Sequence, residues 1–189
     1  MPALSELFGW QALVHSINGG IHLIGALVAL VLGPVLFLRR KGTRFHRLAG
    51  YAFVLAMLVV NITALATYDF TGGPNLFHGF AVLSLAALLP GFYAIQRAVR
   101  TGEPRYLELH VRLMIWAYYG LAAAGFAQIA TRLALSVGLK SGLTFALFGL
   151  IYGVSGALTG WWTRRAVPKI AGQYRLKRPY RAAPAGETA

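Results

Sequence analysis

Between two long apolar runs lies the basic stretch Arg39-Arg40-Lys41-Gly42-Thr43-Arg44-Phe45-His46-Arg47-Leu48-Ala49-Gly50. A Lys or Arg side chain at the centre of a membrane helix costs roughly 2.5 to 3.5 kcal/mol on insertion scales, so this stretch must lie outside hydrocarbon. Short loops rich in Lys and Arg remain on the cytoplasmic side of a membrane. The stretch therefore orients the chain, and it places His46 at the start of the second apolar run.

The composition is that of a protein with several membrane spans. Of the 189 residues, 57% are hydrophobic and 12% are charged, whereas soluble domains carry about 25% charged residues. The formal net charge of +13 would suggest nucleic acid in a soluble protein. Here the cations lie between apolar runs, so we expect no nucleic-acid partner. The absence of cysteine excludes disulfides, cysteine-ligated clusters and covalently attached haem.

Five apolar runs are each long enough to cross a bilayer. They predict an all-α bundle of five transmembrane helices, in which the first four form the core. The predicted spans cover residues 13–38, 46–68, 77–95, 110–135 and 143–162. We expect an interfacial segment over residues 1–12, a transmembrane domain over residues 13–163 and a basic cytoplasmic tail over residues 164–189 that does not fold compactly.

Two of the spans carry further patterns. Pro90-Gly91 predicts a bend or break near the end of the third span, because proline removes a helical hydrogen bond. The fifth span contains a ridge of small residues suited to close helix packing. That ridge consists of Gly149, Gly153, Gly156 and Gly160.

The distribution of charge predicts the orientation. Sixteen of the 18 Lys and Arg residues fall in segments 39–47, 97–112 and 164–189, which leaves only Arg132 and Lys140 on the other side. By the positive-inside rule the N-terminus lies outside and the C-terminus lies in the cytoplasm. We expect the protein in the bacterial inner membrane.

Four histidines form the candidate site. His22 and His78 lie at the outer ends of spans one and three, and His46 and His110 lie at the inner ends of spans two and four. In an antiparallel four-helix bundle these pairs belong to diagonal helices. A haem held by two histidines needs one imidazole on each face of its iron. The sequence therefore predicts an outer haem b between His22 and His78 and an inner one between His46 and His110.

Three arginines extend this interpretation. Arg47 and Arg112 lie beside the inner pair and Arg132 lies near the outer pair, where each could bind a haem propionate through charge-assisted hydrogen bonds. His15 shares a helix face with His22 and could replace it as the outer ligand. A single histidine at a membrane interface is usually only a polar anchor, so the joint placement of four is what favours a site.

Two other functions remain open. The chain could be a structural or accessory membrane subunit without a cofactor, whose histidines serve helix packing. It could also be a single-haem protein that interacts with quinone. Any activity would be redox chemistry rather than hydrolysis or group transfer. Besides the lipid bilayer, the expected partners are a quinone or membrane redox protein, a second copy of the chain, or a larger membrane complex.

Short motifs run through the first four spans. They are His22 with Leu32-Gly33-Pro34, Arg39-Arg40-Lys41-Gly42, His46-Arg47-Leu48-Ala49-Gly50-Tyr51, Phe77-His78-Gly79-Phe80 and His110-Val111-Arg112-Leu113-Met114. On these motifs the chain resembles a bacterial family of uncharacterised multi-pass membrane proteins, which implies a membrane location. More remotely, the two layers of histidines are similar to those of the transmembrane dihaem cytochromes b, which carry electrons across membranes. That likeness is one of architecture and does not by itself establish function.

Overall fold

The computed structural model of the protein describes residues 16–68, 73–74, 76–138 and 141–174. The predicted interfacial segment, residues 1–12, lies outside the described residues, as do His15 and the tail beyond residue 174.

Within that part of the chain the structure consists of five helices and no strand. The helices are α1 Ile17–Leu38, α2 Arg44–Leu65, α3 Leu76–Thr101, α4 Pro104–Ser136 and α5 Ser141–Ala171. Each is long and apolar enough to cross a membrane. The predicted all-α membrane bundle is therefore confirmed, while the orientation of its termini stays a prediction.

The basic stretch folds into a tight connection between α1 and α2. Gly42 adopts a φ of 74°, in the left-handed region that favours glycine. Thr43 caps α2, because its side chain accepts a hydrogen bond from the backbone N–H of His46 at 3.1 Å. The Nζ atom of Lys41 donates to the carbonyl oxygens of Leu36 and Phe37, at 2.6 Å each, which closes the end of α1. These contacts fix His46 in the first turn of α2.

The core lies between the first four helices. Its buried members are Ala29, Phe53, Ala56, Met57, Val60, Leu88, Ala117 and Leu121. The ring of Tyr118 on α4 packs so closely against α1 that a Cβ added at Gly33 would overlap it. The outward faces carry exposed apolar side chains such as Ile24 and Leu150, as lipid contact requires.

Helix α3 continues past Pro90. Of the predicted bend or break, the break does not occur, since Pro90 lies inside a helix that continues to Thr101, and the bend stays a prediction. Leu88 and Ala94, on either side of the proline, are 0% exposed. Packing on both sides therefore holds the helix together despite the hydrogen bond that proline removes.

Helix α5 is longer than predicted. It runs through Arg164-Arg165 to Ala171, nine residues beyond the predicted end of the span at residue 162. Its last turns therefore belong to the segment that the sequence predicts not to fold compactly. Val167 is 0% exposed and Ala171 6% exposed, and both belong to a core cluster with residues of α3 and α4. The guanidinium of Arg165 meanwhile lies over the ring of Trp161 at 4.0 Å. The basic pair is thus accommodated on the outside of a helix whose other face is buried.

Only part of the glycine ridge of α5 packs against another helix. A Cβ added at Gly156 would lie 3.2 Å from the hydroxyl oxygen of Tyr119, and one added at Gly160 would lie 3.5 Å from the ring of Trp116. At Gly149 and Gly153 a Cβ would meet nothing within 4 Å. The ridge therefore packs α5 against α4 over only half of its length.

Candidate functional site

The predicted inner histidines are brought together at a small cavity of about 70 Å³. Its polar lining residues are Lys41 from the α1–α2 connection, His46 from α2, His110 from α4 and Tyr174 from beyond α5. The sequence-based pairing of spans two and four is thus realised in the fold. We refer to this space as the small cavity.

Tyr174 lies against both histidines. Its hydroxyl oxygen is 3.0 Å from Nε2 of His46, and its ring centroid is 5.5 Å from that of His46 and 6.3 Å from that of His110, edge to face in both cases. Burial raises the pKa of Tyr174 to about 12, because a charged phenolate is disfavoured away from water. The side chain therefore remains a neutral phenol at physiological pH.

The backbone of α3 orients His110. Its Nδ1 lies 2.9 Å from the carbonyl oxygen of Gly91. A carbonyl oxygen only accepts, so Nδ1 must carry the proton, and in the neutral ring Nε2 then holds a lone pair. His46 differs, because its Nδ1 is buried and has no hydrogen-bond partner among the described residues. Both imidazoles consequently have a nitrogen that could bind a ligand.

A second, larger cavity of about 520 Å³ lies between α1, α2, α3 and α4. Its lining is mainly apolar, and each helix contributes a polar side chain: His22, Asn61, Ser84 and Gln128. Ligand sites in proteins usually have volumes of about 300 to 1,000 Å³ with a few polar groups in an apolar lining. This space, the large cavity, has the size and character of a binding site for a large apolar molecule.

Helix α2 holds His22 in place. The Nδ1 atom of His22 lies 3.1 Å from the carbonyl oxygen of Val60 and 3.0 Å from the hydroxyl oxygen of Thr63. By the reasoning applied to His110, Nδ1 is the donor and Nε2 holds the lone pair. Metal-ligating histidines usually show this arrangement, in which the other ring nitrogen donates to a backbone carbonyl or a carboxylate.

Two amide side chains fasten the helices around the large cavity. Asn18 donates to the carbonyl oxygen of Thr63 at 3.1 Å and to the hydroxyl of Thr67 at 2.8 Å, which joins α1 to α2. Asn61 donates to the carbonyl oxygen of Met57 at 2.7 Å and to the hydroxyl of Ser84 at 3.1 Å, which joins α2 to α3. The amide oxygen of Asn61 is left as the acceptor of that side chain.

The predicted outer pair is not brought together at either cavity. His78 lines neither of them; its ring lies against that of Tyr68, with 4.8 Å between centroids. The exposed side chains of Arg47 and Arg112 also line neither cavity. The side chain of Arg132 lies outside the described residues. Among those residues, no group of three or more His, Cys, Asp or Glu side chains could hold a metal ion.

The sequence does not single out two polar residues of the small cavity. Lys41 is only 6% exposed, yet nothing in its sequence context distinguishes it from its basic neighbours. Tyr174 did leave a signal, because Val167, Ile170, Ala171 and Tyr174 follow the i, i+3, i+4, i+7 spacing of one buried helix face.

Comparison with known proteins identifies a family but no function. The family described as "Predicted membrane protein (DUF2306)" matches residues 19–162, which cover all four histidines of the predicted haem ligands. No curated protein and no solved structure matches the chain.

Proposed function

Because this chain belongs to the DUF2306 family of predicted membrane proteins, we propose that it binds a haem b in the large cavity through His22 and carries electrons in the bacterial inner membrane. Family membership and five apolar helices make it an integral membrane protein. The proposal concerns what the protein holds inside the bundle.

The proposal rests on the orientation of the His22 side chain. Its Nδ1 is engaged by the carbonyl oxygen of Val60, so the free lone pair is on Nε2, and the side chain lines the large cavity. A histidine held in this way is preorganised to bind iron, since its tautomer and ring orientation are already fixed. A haem would supply one-electron redox chemistry, which the side chains of this site do not.

The large cavity also offers the necessary space. Its volume of about 520 Å³ suits a macrocycle, and many of its walls are small residues. These include Gly19, Ala26, Ala64, Gly120, Ala124 and Gly125.

We propose one haem rather than the two predicted from the sequence, because His46 and His110 line a cavity of only about 70 Å³. His78 does not line the large cavity, which leaves His22 as the imidazole among its described lining residues. Met57 lines it too, but that side chain is 1% exposed and packed in the core. We therefore expect iron with one protein ligand and an open position, as in proteins with a single proximal histidine.

A quinol is the second candidate for the same cavity. The lone pair of His22 Nε2 and the amide oxygen of Asn61 are hydrogen-bond acceptors, and the two hydroxyl groups of a quinol are donors. The apolar lining would suit an isoprenoid chain. In this alternative the large cavity binds a quinol instead of a haem.

Absorption spectra of the purified protein test the proposal. The protein is expressed with adequate haem supply, purified in detergent and measured oxidised, dithionite-reduced, and reduced under carbon monoxide. We expect about one haem b per chain and a spectral shift with carbon monoxide, since the open position can take a small ligand. His22→Ala should lose the haem, and added imidazole should restore part of it. His78→Gln, which changes a histidine away from both cavities, should retain it.

Other outcomes decide between the remaining functions. Full haem content in His22→Ala would reject the large cavity as the haem site. No haem in the wild-type protein, together with a co-purified quinone that His22→Ala loses, would establish the second candidate. If the wild-type protein contained neither haem nor quinone, the accessory-subunit interpretation would remain.

A further inference from the structure

The ammonium group of Lys41 is buried beside the small cavity and has no carboxylate as its counter-charge among the described residues. The side chain is 6% exposed and lines the cavity. The carboxylates in the described part of the chain belong to Glu103, which pairs with Arg105, and to Glu108, and neither lines the cavity. A lysine is almost never buried unless it is paired, because a charge moved out of water loses its hydration. The burial of Lys41 therefore favours a bound anion.

Lys41 also retains a donor for such an anion. Its Nζ atom donates to the carbonyl oxygens of Leu36 and Phe37, at 2.6 Å each, which uses two of the three hydrogens of an ammonium group. A carbonyl oxygen carries only a partial negative charge, so these bonds orient the ammonium without neutralising it. One hydrogen and the net positive charge thus remain available to a ligand.

The pair formed by His46 and Tyr174 supplies a second donor. Nε2 of His46 lies 3.0 Å from the hydroxyl oxygen of Tyr174, and both side chains line the small cavity. A neutral imidazole and a neutral phenol carry one polar hydrogen each, and the contact between them uses one of the two. The other hydrogen is either on Nδ1 of His46, which is buried without a partner among the described residues, or on the hydroxyl of Tyr174. Either tautomer leaves one donor.

His110 contributes an acceptor instead. Its Nδ1 donates to the carbonyl oxygen of Gly91 at 2.9 Å, which leaves the lone pair on Nε2, and its side chain lines the same cavity. A halide or nitrate ion offers no hydrogen to this lone pair, whereas an anion with a hydroxyl group can donate to it. The donors and the acceptor together therefore match an oxyanion that keeps one hydroxyl group.

The size and lining of the small cavity limit the anion further. Its volume of about 70 Å³ is roughly twice the approximately 30 Å³ that a water molecule occupies in the liquid, which suits an anion of about four non-hydrogen atoms. Most of its lining residues are apolar, among them Leu36, Phe53 and Ile170. A divalent anion would leave one negative charge unpaired against this lining, at a high cost in desolvation. The cavity thus favours a small anion with a single charge.

We propose that the small cavity binds a monovalent oxyanion with one hydroxyl group, of the size of hydrogencarbonate. Lys41 provides the counter-charge and one donor, the His46–Tyr174 pair provides the other donor, and His110 accepts from the hydroxyl group. The bound anion joins the α1–α2 connection to α4 and to the end of α5. The site is separate from the large cavity, so the inference does not depend on what binds beside His22.

Equilibrium dialysis of the purified full chain in detergent tests the site. The probe is radiolabelled hydrogencarbonate, in a closed cell at mildly alkaline pH, where unperturbed histidines are neutral. We expect saturable binding of one ion per chain. Unlabelled nitrate has the same planar shape and charge but no hydroxyl group. It should displace the label about tenfold less effectively than unlabelled hydrogencarbonate, because Nε2 of His110 would be left without a donor.

Matched variants locate the bound anion. Lys41→Met removes the ammonium but keeps a long side chain, and it should weaken binding by about 30-fold or more, as expected when one partner of a buried charge pair is lost. Arg40→Met removes an exposed cation from the same connection and should bind as tightly as the wild type. His110→Leu should bind hydrogencarbonate more weakly and lose the preference for it over nitrate.

Three results would overturn the proposal. Absence of saturable binding in the wild type would show that the small cavity takes no anion. Equal weakening in Lys41→Met and Arg40→Met would assign binding to the general positive charge of the connection. Nitrate as effective as hydrogencarbonate would exclude the hydroxyl group and the role of His110. The wild-type comparison and His110→Leu decide the matter even if Lys41→Met does not fold.

Discussion

His110 and Gly91 are joined by a hydrogen bond of 2.9 Å between the imidazole Nδ1 and the carbonyl oxygen. The backbone of α3, one residue after Pro90, thus sets the tautomer of a histidine on α4. A backbone acceptor cannot be removed by changing a side chain, so the position of the lone pair on Nε2 is a property of the fold. The same holds for His22, whose Nδ1 is fixed by the carbonyl oxygen of Val60.

The close packing of the Tyr118 ring against α1 at Gly33 can be tested by a single methyl group. Gly33→Ala should lower the free energy of unfolding by about 1 to 3 kcal/mol, the usual cost of overpacking, because the new Cβ would overlap the ring of Tyr118. Thermal unfolding in detergent measures this change. Gly149→Ala, where a Cβ meets nothing within 4 Å, should be neutral or slightly stabilising. Tyr118→Leu should partly rescue Gly33→Ala, and equal stability of the two alanine variants would contradict the packing.

The hydrogen bond between Asn61 and Ser84 should contribute modestly to stability. Buried polar contacts between membrane helices average about 0.6 kcal/mol in double-mutant cycles, with a maximum near 1.7. We therefore expect a coupling free energy in that range from the cycle of Asn61→Ala, Ser84→Ala and the double variant, measured by unfolding in mixed detergent. A coupling of zero would mean that the 3.1 Å contact does not join α2 to α3 energetically.

Tyr174 should make stability fall at high pH. Its pKa is raised to about 12 in the folded protein, whereas an unperturbed tyrosine has a pKa of about 10. Between these values the unfolded chain loses the phenol proton first, so the folded state loses stability as pH rises through that window. The difference in unfolding free energy between the wild type and Tyr174→Phe should shrink over this range. A constant difference would show that the phenol is not buried.

The orientation of the helices across the membrane can be measured by labelling single-cysteine variants, because the chain has no cysteine of its own. Arg40 and Pro74 are both exposed, and they lie in the connections at opposite ends of α2. Arg40→Cys should resist a membrane-impermeant maleimide in intact cells and react after permeabilisation, whereas Pro74→Cys should react in intact cells. The reverse pattern would place the N-terminus in the cytoplasm and overturn the orientation predicted from charge.

The bundle itself could be predicted from hydrophobicity, because in a bilayer the length of an apolar run nearly determines a helix. The joint position of His46 and His110 could also be predicted, since diagonal helices present their inward faces to the same space. What could not be predicted depends on tertiary packing. Helix α3 continues past Pro90 with Leu88 and Ala94 buried on either side of it, and no local signal reveals that burial.

The outer part of the candidate site shows a different limit. His22 and His78 are predicted to lie at similar depths, but depth does not determine the rotation of each helix about its axis. Rotation depends on contacts such as those of Asn18 with α2 and of His78 with Tyr68, which join residues far apart in the sequence or across a loop. Sequence spacing alone therefore could not establish which histidine lines the large cavity.

Lys41 combines a predicted role during membrane insertion with a structural role in the folded protein. In the orientation predicted from charge, it is one of the five cations of segment 39–47 that would keep this end of the bundle in the cytoplasm while the chain enters the membrane. After folding it is 6% exposed and its ammonium is bound to the end of α1, where burial lowers its pKa. In the predicted orientation, the positive charge available during insertion is thus larger than the charge that the folded protein presents to lipid headgroups. Loss of Lys41 would leave four cations to direct insertion, and its cost would appear only later, as a loosened end of α1.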